Sequence, residues 1–434
     1  MANFDNSHVT ALTALINDAV QDVIAEYAAV GQAIPSLNSL KPGPFQVPAE
    51  TPARLMKAIK IIEAACAQLT YTVSPPGSVM LNVSHGEAAC LSVVTEARIA
   101  DLLLDQPAGL PASKLADIAG IHAGKLTRIL RLLATKHCFK EVKPGVFANN
   151  RLSMKLLSAD PTSALVLQRT DDGLLASAYL NKTMSKDDNG IPYQRATGFP
   201  YFDFDSQRFA RTMVGWGQIF GKEHFLPQAY PWSVQPPETT ICDVAGGNGF
   251  ATMALLKAHP HLNLVLQDQT QIIDRAREFW VKQHPSAVQK ERVKFVPFDF
   301  FKDAPVRGCD IYYVQHHTRH DWQDRESKII LNNIRKAMKP ESKLIIHEIV
   351  LRNALSNTDE FTAEAYFDVA PKPLLPNYGV ARARTYELDI AMMTLLGSQE
   401  RTLSEYVNLC HQCGLKFSKL YEAGEMDLIE FSLI

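Results

Sequence analysis

Residues 241–250 (ICDVAGGNGF) narrow the choice of fold more than any other part of this 434-residue chain. The apolar run that carries Asp243 predicts a buried strand, and the stretch after the turn, FATMALLKAHP, predicts a helix. Between the two, Gly246, Gly247 and Gly249 let the backbone come within contact distance of a ligand. The start of the helix adds partial positive charge, so this turn suits a carboxylate or a phosphate.

The residues around this turn distinguish between cofactor classes. The next β-rich run ends in Asp268, where an acidic side chain can accept hydrogen bonds from both ribose hydroxyls of a nucleoside. A dinucleotide fingerprint requires a third glycine where this chain has Thr252, and the sequence also lacks the lysine of a nucleoside-triphosphate loop. The pattern Asp-x-x-Gly-Gly-x-Gly followed by Asp268 instead favours S-adenosylmethionine, with the turn beside the amino-acid end of the cofactor.

From residue 239 onward, short β-rich runs alternate with helical stretches. The runs are TTICDVAG, LNLVLQD, VKFVPFD, CDIYYVQ, KLIIHEIV and LKFSKLYEA. Such alternation predicts an α/β domain with a doubly wound, mostly parallel sheet. Asp299 ends the third run and Phe300 follows it, where an acid with an aromatic neighbour can bond and cover an adenine ring.

The pattern before this domain is mainly helical. Apolar residues at helical spacing predict a helix over residues 7–30 and a second over about 52–70, after which Pro75-Pro76 ends the N-terminal arm. The segments that follow are predicted as one helix over 86–104, a short helix over 112–119, a third helix over 123–136 and a hairpin in FKEVKPGVFANN. This order is typical of a winged helix.

The third helix of a winged helix can enter the major groove of DNA, or the module can support a dimer. Lys and Arg outnumber Asp and Glu over residues 111–150, which is compatible with DNA binding. The long apolar helices before it need a partner surface, so an intertwined homodimer is favoured over nucleic-acid binding. The predicted division is a helical arm (1–80), a winged-helix-like dimerisation domain (81–155), a helical linker that contributes to the substrate pocket (156–225) and a catalytic domain that binds S-adenosylmethionine (226–434).

Composition excludes several other classes of protein. The net charge of −2 gives no bias toward nucleic acid or acidic membranes. No stretch approaches the roughly 18 apolar residues of a membrane span, and no secretory signal is visible. The seven cysteines, an odd number, suit free thiols in a reducing, cytoplasmic compartment. Cys410 and Cys413 form a CxxC without a second pair, which predicts core packing and no metal site.

A third cluster carries the candidate chemistry. His320, Asp321 and Trp322 follow a β-rich run and begin a helix, at the carboxyl end of a parallel strand, where open α/β sheets place their sites. Glu348 closes the next run, LIIHE, and Glu400 precedes the last predicted helix. We therefore expect these residues to meet at one edge of the sheet.

GGNG, the HDW triplet, the acid after LIIH and the GxxERT sequence together resemble the plant-caffeate-type O-methyltransferases. The resemblance is strongest to the fungal branch, which acts on polyketides and other aromatic secondary metabolites, and it covers nearly the whole chain. It implies a Rossmann-like class I methyltransferase domain, S-adenosylmethionine as cofactor and a homodimer. It also implies methyl transfer to a hydroxyl of a small aromatic or polyketide-type substrate.

The resemblance implies a role for each matching residue. His320 is the general base, and Glu348 and Glu400 hold its ring. The cofactor-binding set is Asp243, Gly246, Gly247, Gly249, Asp268, Asp299, Phe300, His316 and Trp322. The acceptor pocket is lined by Phe209, Met213, Met392 and Met393. Physical chemistry agrees, because a phenol with a pKa near 10 needs a base and an imidazole with a pKa near 6.5 can serve.

Two features depart from the family pattern, and two other functions stay open. The position four before the base, usually Lys or Arg, is His316, and an unusually long segment separates Glu348 from Glu400. Some family members keep S-adenosylmethionine as a fixed positive charge and catalyse dehydration or pericyclic ring closure. The retained base and carboxylates favour methyl transfer over that chemistry. The other alternative is a DNA-binding regulator that uses the winged helix.

Overall fold

The computed structural model describes residues 5–46, 51–81, 86–186, 188, 190–201, 206–315, 322–355 and 366–434, with the backbone alone for 206–210 and 222. The chain divides into two compact units, Met1–Ile219 and Phe220–Ile434. The four-part division expected from the sequence stays a prediction. Among the described helices, none combines the length and the apolar composition that a bilayer crossing demands.

The first unit begins with a helical arm. α1 (Ser7–Ala29) and α2 (Ala53–Val73) pack against each other, and Arg54 on α2 donates to the Asp22 carboxylate on α1 at 2.6 Å. The arm does not end at Pro75-Pro76 as predicted, because α3 (Pro76–Leu81) begins there. Proline fits the first turn of a helix, where its missing N–H has no helical partner in any case.

A module of short helices and a hairpin follows the arm. Its elements are α4 (Gly86–Glu96), α5 (Ile99–Leu102), β1 (Leu110–Pro111), α6 (Ala112–Ala119), α7 (Ala123–Thr135), β2 (Lys140–Lys143) and β3 (Val146–Ala148), with strand order β1-β3-β2. The single helix predicted over 86–104 is wrong. Arg98 takes a left-handed conformation with φ of 49°, which ends α4 and turns the chain into α5. Leu126, Leu130 and Leu133 of α7 are buried, as their helical spacing predicts.

The rest of the first unit is mainly helical, as expected for residues 150–225. The helices are α8 (Pro161–Gln168), α9 (Leu174–Tyr179), α10 (Pro192–Thr197) and α11 (Ser206–Phe220). α8 shows why such a helix begins where it does. Asp160 accepts the Thr162 N–H at 2.9 Å as an N-cap, and Pro161 occupies the first helical position.

The second unit is built on a seven-stranded sheet in the order β11-β12-β8-β7-β4-β5-β6. Its strands are β4 (Thr240–Val244), β5 (Asn263–Asp268), β6 (Val293–Pro297), β7 (Ile311–Gln315), β8 (Lys343–Glu348), β11 (Leu415–Ala423) and β12 (Met426–Leu433). β9 (Val350–Leu351) and β10 (Arg401–Thr402) form a separate parallel pair. Strands β4 to β8 run parallel, whereas β12 is antiparallel to both β8 and β11. The predicted α/β, Rossmann-like fold class is confirmed.

β12 is the strand that the sequence pattern missed. It lies between β8 and β11, and Asp427 and Glu430 interrupt its apolar run. Both acids are buried, and Glu430 accepts hydrogen bonds from the hydroxyls of Tyr230 at 3.0 Å and Tyr421 at 3.3 Å. Partners from other elements thus satisfy Glu430 inside the strand, and Arg352 Nη2 lies 4.0 Å from Asp427 Oδ1.

Helices cover both faces of the sheet. They are α12 (Lys222–Ala229), α13 (Phe250–Ala258), α14 (Thr270–Gln283), α15 (Pro285–Gln289), α16 (Asp324–Ala337) and α18 (Leu403–His411), and a further helix, α17 (Ala383–Leu396), precedes α18. One apolar core includes Leu331 of α16 and Tyr406 of α18, and the other includes Leu255 of α13. Cys410 and Cys413 are both buried in the first of these cores, so the predicted packing role of the CxxC is confirmed.

Candidate active site

The glycine-rich turn between β4 and α13 depends on residues without side chains. Gly247 and Gly249 have φ values of 62° and 70°, in the left-handed region. A Cβ atom on Gly246 would lie 2.4 Å from Cγ of Asp243, and one on Gly249 would lie 2.9 Å from Trp280 Nε1. A Cβ atom on Gly247 would meet no described atom within 4 Å. The turn therefore packs closely on its own strand and helix and is open at Gly247, where a ligand can approach the backbone.

Asp243 is buried beside this turn, and one of its carboxylate oxygens is available to a ligand. Its Oδ2 accepts a hydrogen bond from Thr252 Oγ1 at 2.7 Å, whereas Oδ1 has no hydrogen-bond partner within the described chain. Burial raises the pKa of this carboxyl to about 7, against the opposing effect of the Thr252 hydrogen bond. Because a buried acceptor without a donor is costly, the position fits a ligand that donates hydrogen bonds, such as an ammonium group.

Asp268, the last residue of β5, is fixed by the turn. Its Oδ2 accepts the Gly247 N–H at 2.8 Å and its Oδ1 accepts the Gln269 N–H at 2.7 Å. Burial raises the pKa of this carboxyl, although both backbone hydrogen bonds act in the opposite direction. Each carboxylate oxygen can accept a further hydrogen bond, so the side chain fits a vicinal diol such as that of a ribose.

An aromatic group lies beyond the end of β6. The ring centroids of Phe300 and Phe301 are 4.6 Å apart, and those of Phe301 and Trp322 are 4.9 Å apart with an edge-on geometry. Asp299 is engaged by its neighbours: it accepts from Lys302 Nζ at 2.7 Å and from the Phe301 N–H at 3.0 Å, and these bonds hold its pKa below the usual range. The three rings form an apolar cluster, and the adenine contact expected of Asp299 stays a prediction.

A short parallel pairing brings the backbones of the two predicted catalytic acids close together. Glu348 ends β8, Glu400 directly precedes β10, and both side chains are buried. Because Arg401 of β10 lies opposite Val350 of β9, Glu400 is held next to the residue that follows Glu348. The Glu400 N–H also donates to Asp389 Oδ1 on α17 at 2.8 Å.

The loop that carries the predicted base starts beside the glycine-rich turn. Gln315 ends β7, and its Nε2 donates to the Gly246 carbonyl oxygen at 3.4 Å. Residues 316–321, which include His316 and His320, lie outside the described residues. Since β7 lies between β4 and β8, Gln315 at its end lies between the ends of the strands that carry the turn and Glu348. Open α/β sheets bind ligands at the carboxyl ends of their strands in this way.

Comparison with known proteins identifies the family. Residues 178–416 match the O-methyltransferase domain, and residues 84–159 match the O-methyltransferase dimerisation domain. The chain belongs to the O-methyltransferase family. A relative, 3-O-methyltransferase 2 of Phanerochaete chrysosporium, is 44% identical over 98% of each chain. This protein is thus an S-adenosylmethionine-dependent O-methyltransferase, and the enzyme class, family and cofactor predicted from the sequence are confirmed.

Solved structures share the fold of this methyltransferase. The mitomycin 7-O-methyltransferase MmcR has a TM-score of 0.66 at 24% identity, over 86% of this chain and 99% of that one. The O-methyltransferase NcsB1 of neocarzinostatin biosynthesis, in complex with S-adenosylmethionine and 2-hydroxy-5-methyl naphthoic acid, has a TM-score of 0.61 at 21% identity, over 82% and 98% of the two chains. At these identities the likeness concerns the architecture.

The residues expected to line the acceptor pocket lie in both units of the methyltransferase. Met392 is buried and Met393 is half-buried, both on α17. Met213 is half-buried on α11, and the side chain of Phe209 lies outside the described residues. Their role in binding an acceptor stays a prediction.

The long segment between β9 and α17 is attached to a buried cation. Residues 356–365 lie outside the part that is described. In the remainder, the Phe367 ring centroid is 3.9 Å from Arg352 Cζ, and Arg352 Nη1 donates to the Asp368 carbonyl oxygen at 3.3 Å. The Tyr378 hydroxyl donates to Asp368 Oδ2 at 2.6 Å. The segment is therefore anchored to the chain just beyond Leu351.

Sequence reasoning missed several buried polar groups near the carboxylates. The Tyr313 hydroxyl and His347 Nδ1 are 2.7 Å apart inside the unit, and Asp427 lies opposite Glu348 across the β8–β12 pair. In the sequence, each of these groups is a polar residue inside an apolar run. Such a pattern indicates that a polar group is buried but does not identify its partner. In the ranges that the structure covers, His, Cys, Asp and Glu side chains form no group of three or more that could hold a metal ion.

Proposed function

We propose that this methyltransferase moves a methyl group from S-adenosylmethionine to a hydroxyl of a small aromatic or polyketide-type secondary metabolite, with His320 as general base. The observation that carries the proposal is that Glu348 and Glu400 are both buried and have neighbouring backbones, and that Gln315, after which the segment of His320 begins, pairs with the residue before Glu348. The name of the Phanerochaete relative specifies a 3-oxygen, and NcsB1 is seen with a hydroxylated naphthoic acid. The first supports an oxygen as the acceptor atom, and the second supports a hydroxyl on an aromatic ring.

The site residues fit the cofactor, because Asp243 offers a buried acceptor to an ammonium group and Asp268 offers two oxygens to a ribose. The aromatic cluster that includes Trp322 suits adenine. Bound S-adenosylmethionine supplies a methyl group on a positively charged sulfur that needs no further activation. The glycine-rich turn and these acids would hold the cofactor at the carboxyl ends of β4 and β5.

The chain itself supplies the proton acceptor for the hydroxyl group. An imidazole in the loop after β7 takes the phenol proton as the oxygen attacks, which makes an otherwise weak nucleophile reactive near neutral pH. Glu348 and Glu400 fix the orientation of the His320 ring and stabilise the imidazolium that forms. Because both carboxylates are buried, solvent screens their interaction with the ring only weakly.

Replacement of His320 by alanine tests this assignment. We expect kcat to fall about 10²- to 10⁴-fold, while the Kd of S-adenosylmethionine is nearly unchanged. Acceptors with a more acidic phenol should lose less, because they depend less on a base. His411→Ala, at the exposed end of α18, is the matched control and should keep the wild-type rate. Near-normal kcat in His320→Ala would refute the role of the base.

Methyl-labelled cofactor tests the reaction type directly. With a library of aromatic and polyketide acceptors, we expect the label in the product and one S-adenosylhomocysteine per turnover. Turnover of an acceptor with all of the label retained on sulfur would contradict methyl transfer and support the dehydration or pericyclic alternative.

We also propose that the enzyme is a homodimer in a reducing, cytoplasmic compartment. The match of residues 84–159 to a dimerisation domain supports the dimer, and the arm leaves Ile24, Ile59 and Tyr71 exposed. Exposed apolar surface of this kind marks sites of protein association. All seven cysteines are free, which suits the compartment. Sedimentation equilibrium should give twice the mass of one chain, and filter binding to random duplex at low salt should show no DNA affinity.

A further inference from the structure

Arg401, which directly follows Glu400, is a buried cation. Its side chain is 1% exposed, and its backbone pairs with Val350 as part of β10. Burying a guanidinium is costly unless its N–H groups find partners. Where those partners lie therefore shows which parts of the structure depend on this residue.

The guanidinium of Arg401 crosses from β10 to the start of α16. Its Nη2 and Nε donate to Asp324 Oδ1 at 2.7 and 3.2 Å, and Nη2 also donates to the Trp322 carbonyl oxygen at 3.3 Å. On its own side, Nη1 donates to the Gln399 carbonyl oxygen at 3.5 Å. One planar group thus joins the segment that ends the loop of His320 to the segment that carries Glu400.

Two neighbouring hydrogen bonds strengthen this connection. Gln323 Nε2 donates to the Gly397 carbonyl oxygen at 3.1 Å, again from the start of α16 to the turn before β10. Asp389 on α17 accepts the Glu400 N–H at 2.8 Å. The turn that carries Glu400 is therefore fixed from two directions, and Arg401 supplies its charged link toward Trp322.

We propose that Arg401 is a positioning residue for methyl transfer: through its bonds to Asp324 and Trp322 it sets the separation between Glu400 and the start of α16, which directly follows the segment of His320 in the chain. This inference rests on the proposed function, since it acts through the base. Arg401 bonds to the backbone carbonyl oxygen of Trp322, whereas the part of Trp322 proposed to meet the cofactor is its ring. Its loss should therefore affect the chemical step more than cofactor binding.

Arg401→Lys tests the proposal, because lysine keeps the charge but cannot reach Asp324 and Trp322 with a planar fork. We expect kcat to fall on the order of 10²-fold, as a displacement of about 1 Å can cost that much, with the cofactor Kd nearly unchanged. Asp324→Asn removes the charge of the exposed partner and should lower kcat in the same direction by a smaller factor. It also keeps the test available if Arg401→Lys folds poorly. Arg384→Lys is the matched control and should keep the wild-type kcat. Arg384 lies on α17, and its Nη2 is 3.5 Å from Glu425 Oε1.

The His320→Ala background separates positioning from simple stabilisation. If Arg401 acts through the base, Arg401→Lys should leave the residual rate of His320→Ala unchanged. An equal fold loss in both backgrounds, or an unchanged kcat in the single variants, would overturn the proposal. Failure of the proposed function would show differently, as full activity of His320→Ala with the arginine intact.

Discussion

Replacing Gly246 by alanine tests whether the glycine-rich turn is the cofactor cradle. A Cβ atom at this residue would lie 2.4 Å from Cγ and Oδ2 of Asp243 and 2.6 Å from its Oδ1, well inside van der Waals contact. Asp243 cannot retreat, because it is wholly buried on a strand flanked by β5 and β7 and is bonded to Thr252 at 2.7 Å. The turn must shift instead, and overpacking of this kind costs about 1–3 kcal/mol.

In the free enzyme the turn can relieve this clash by moving away from Asp243, into the space that a cofactor needs. Binding must then reverse the movement, so the cost falls mainly on affinity, and the Kd of S-adenosylmethionine should rise about 5- to 150-fold. Isothermal titration calorimetry measures the change. Gly77→Ala, on α3 with no described atom within 4 Å of its added Cβ, should leave the Kd unchanged. Wild-type affinity in folded Gly246→Ala would refute the reasoning.

Two further outcomes concern the same turn. Burial raises the pKa of Asp243 from 3.8 to about 7, so the stability that its proton gives is full below pH 3.8 and is lost as pH rises through about 7. Urea unfolding of the free enzyme should therefore show wild type losing stability relative to Asp243→Asn between these pH values. Parallel pH profiles of the two proteins would contradict the raised pKa. Trp280→Phe removes the 2.8 Å bond from Nε1 to the Asn248 carbonyl oxygen and should lower both the free energy of unfolding, by about 1–3 kcal/mol, and the cofactor affinity. Trp232→Phe removes a similar 2.7 Å bond to Leu226 away from the turn and should lower stability alone, so equal affinities in the two variants would count against a structural role of Trp280 in the turn.

The parts of the site that could be predicted are those in which sequence neighbours are also spatial neighbours. The glycine-rich turn follows β4 directly, and Asp268 and Glu348 are the last residues of their strands, as the patterning indicates. The parallel order of β4 to β8 follows from the alternation of strands and helices. Local spacing is enough for such features because each depends on one strand and its adjoining turn.

The features that could not be predicted depend on partners far apart in the chain. The fork of Arg401 reaches Asp324 across 77 positions, and the sequence of β10 shows only a charged residue in a loop. Strand β12 was not predicted because its acids are buried against residues of other elements. The chain breaks after α4 because Arg98 takes a left-handed conformation, which the local sequence does not predict. Tertiary contacts determine all of these features, and those contacts cannot be read from a single sequence.

The β9–β10 pair closes a detour in the chain, since about fifty residues leave at Leu351 and come back at Arg401 in fixed register. Both ends of this detour are tied to the same place, so its middle can lengthen, shorten or change shape without moving Glu348 apart from Glu400. Evolution can then change the residues of this detour, which include Met392 and Met393, while the two buried carboxylates keep their spacing. Relatives with detours of different length would keep one reaction and diverge in what they methylate.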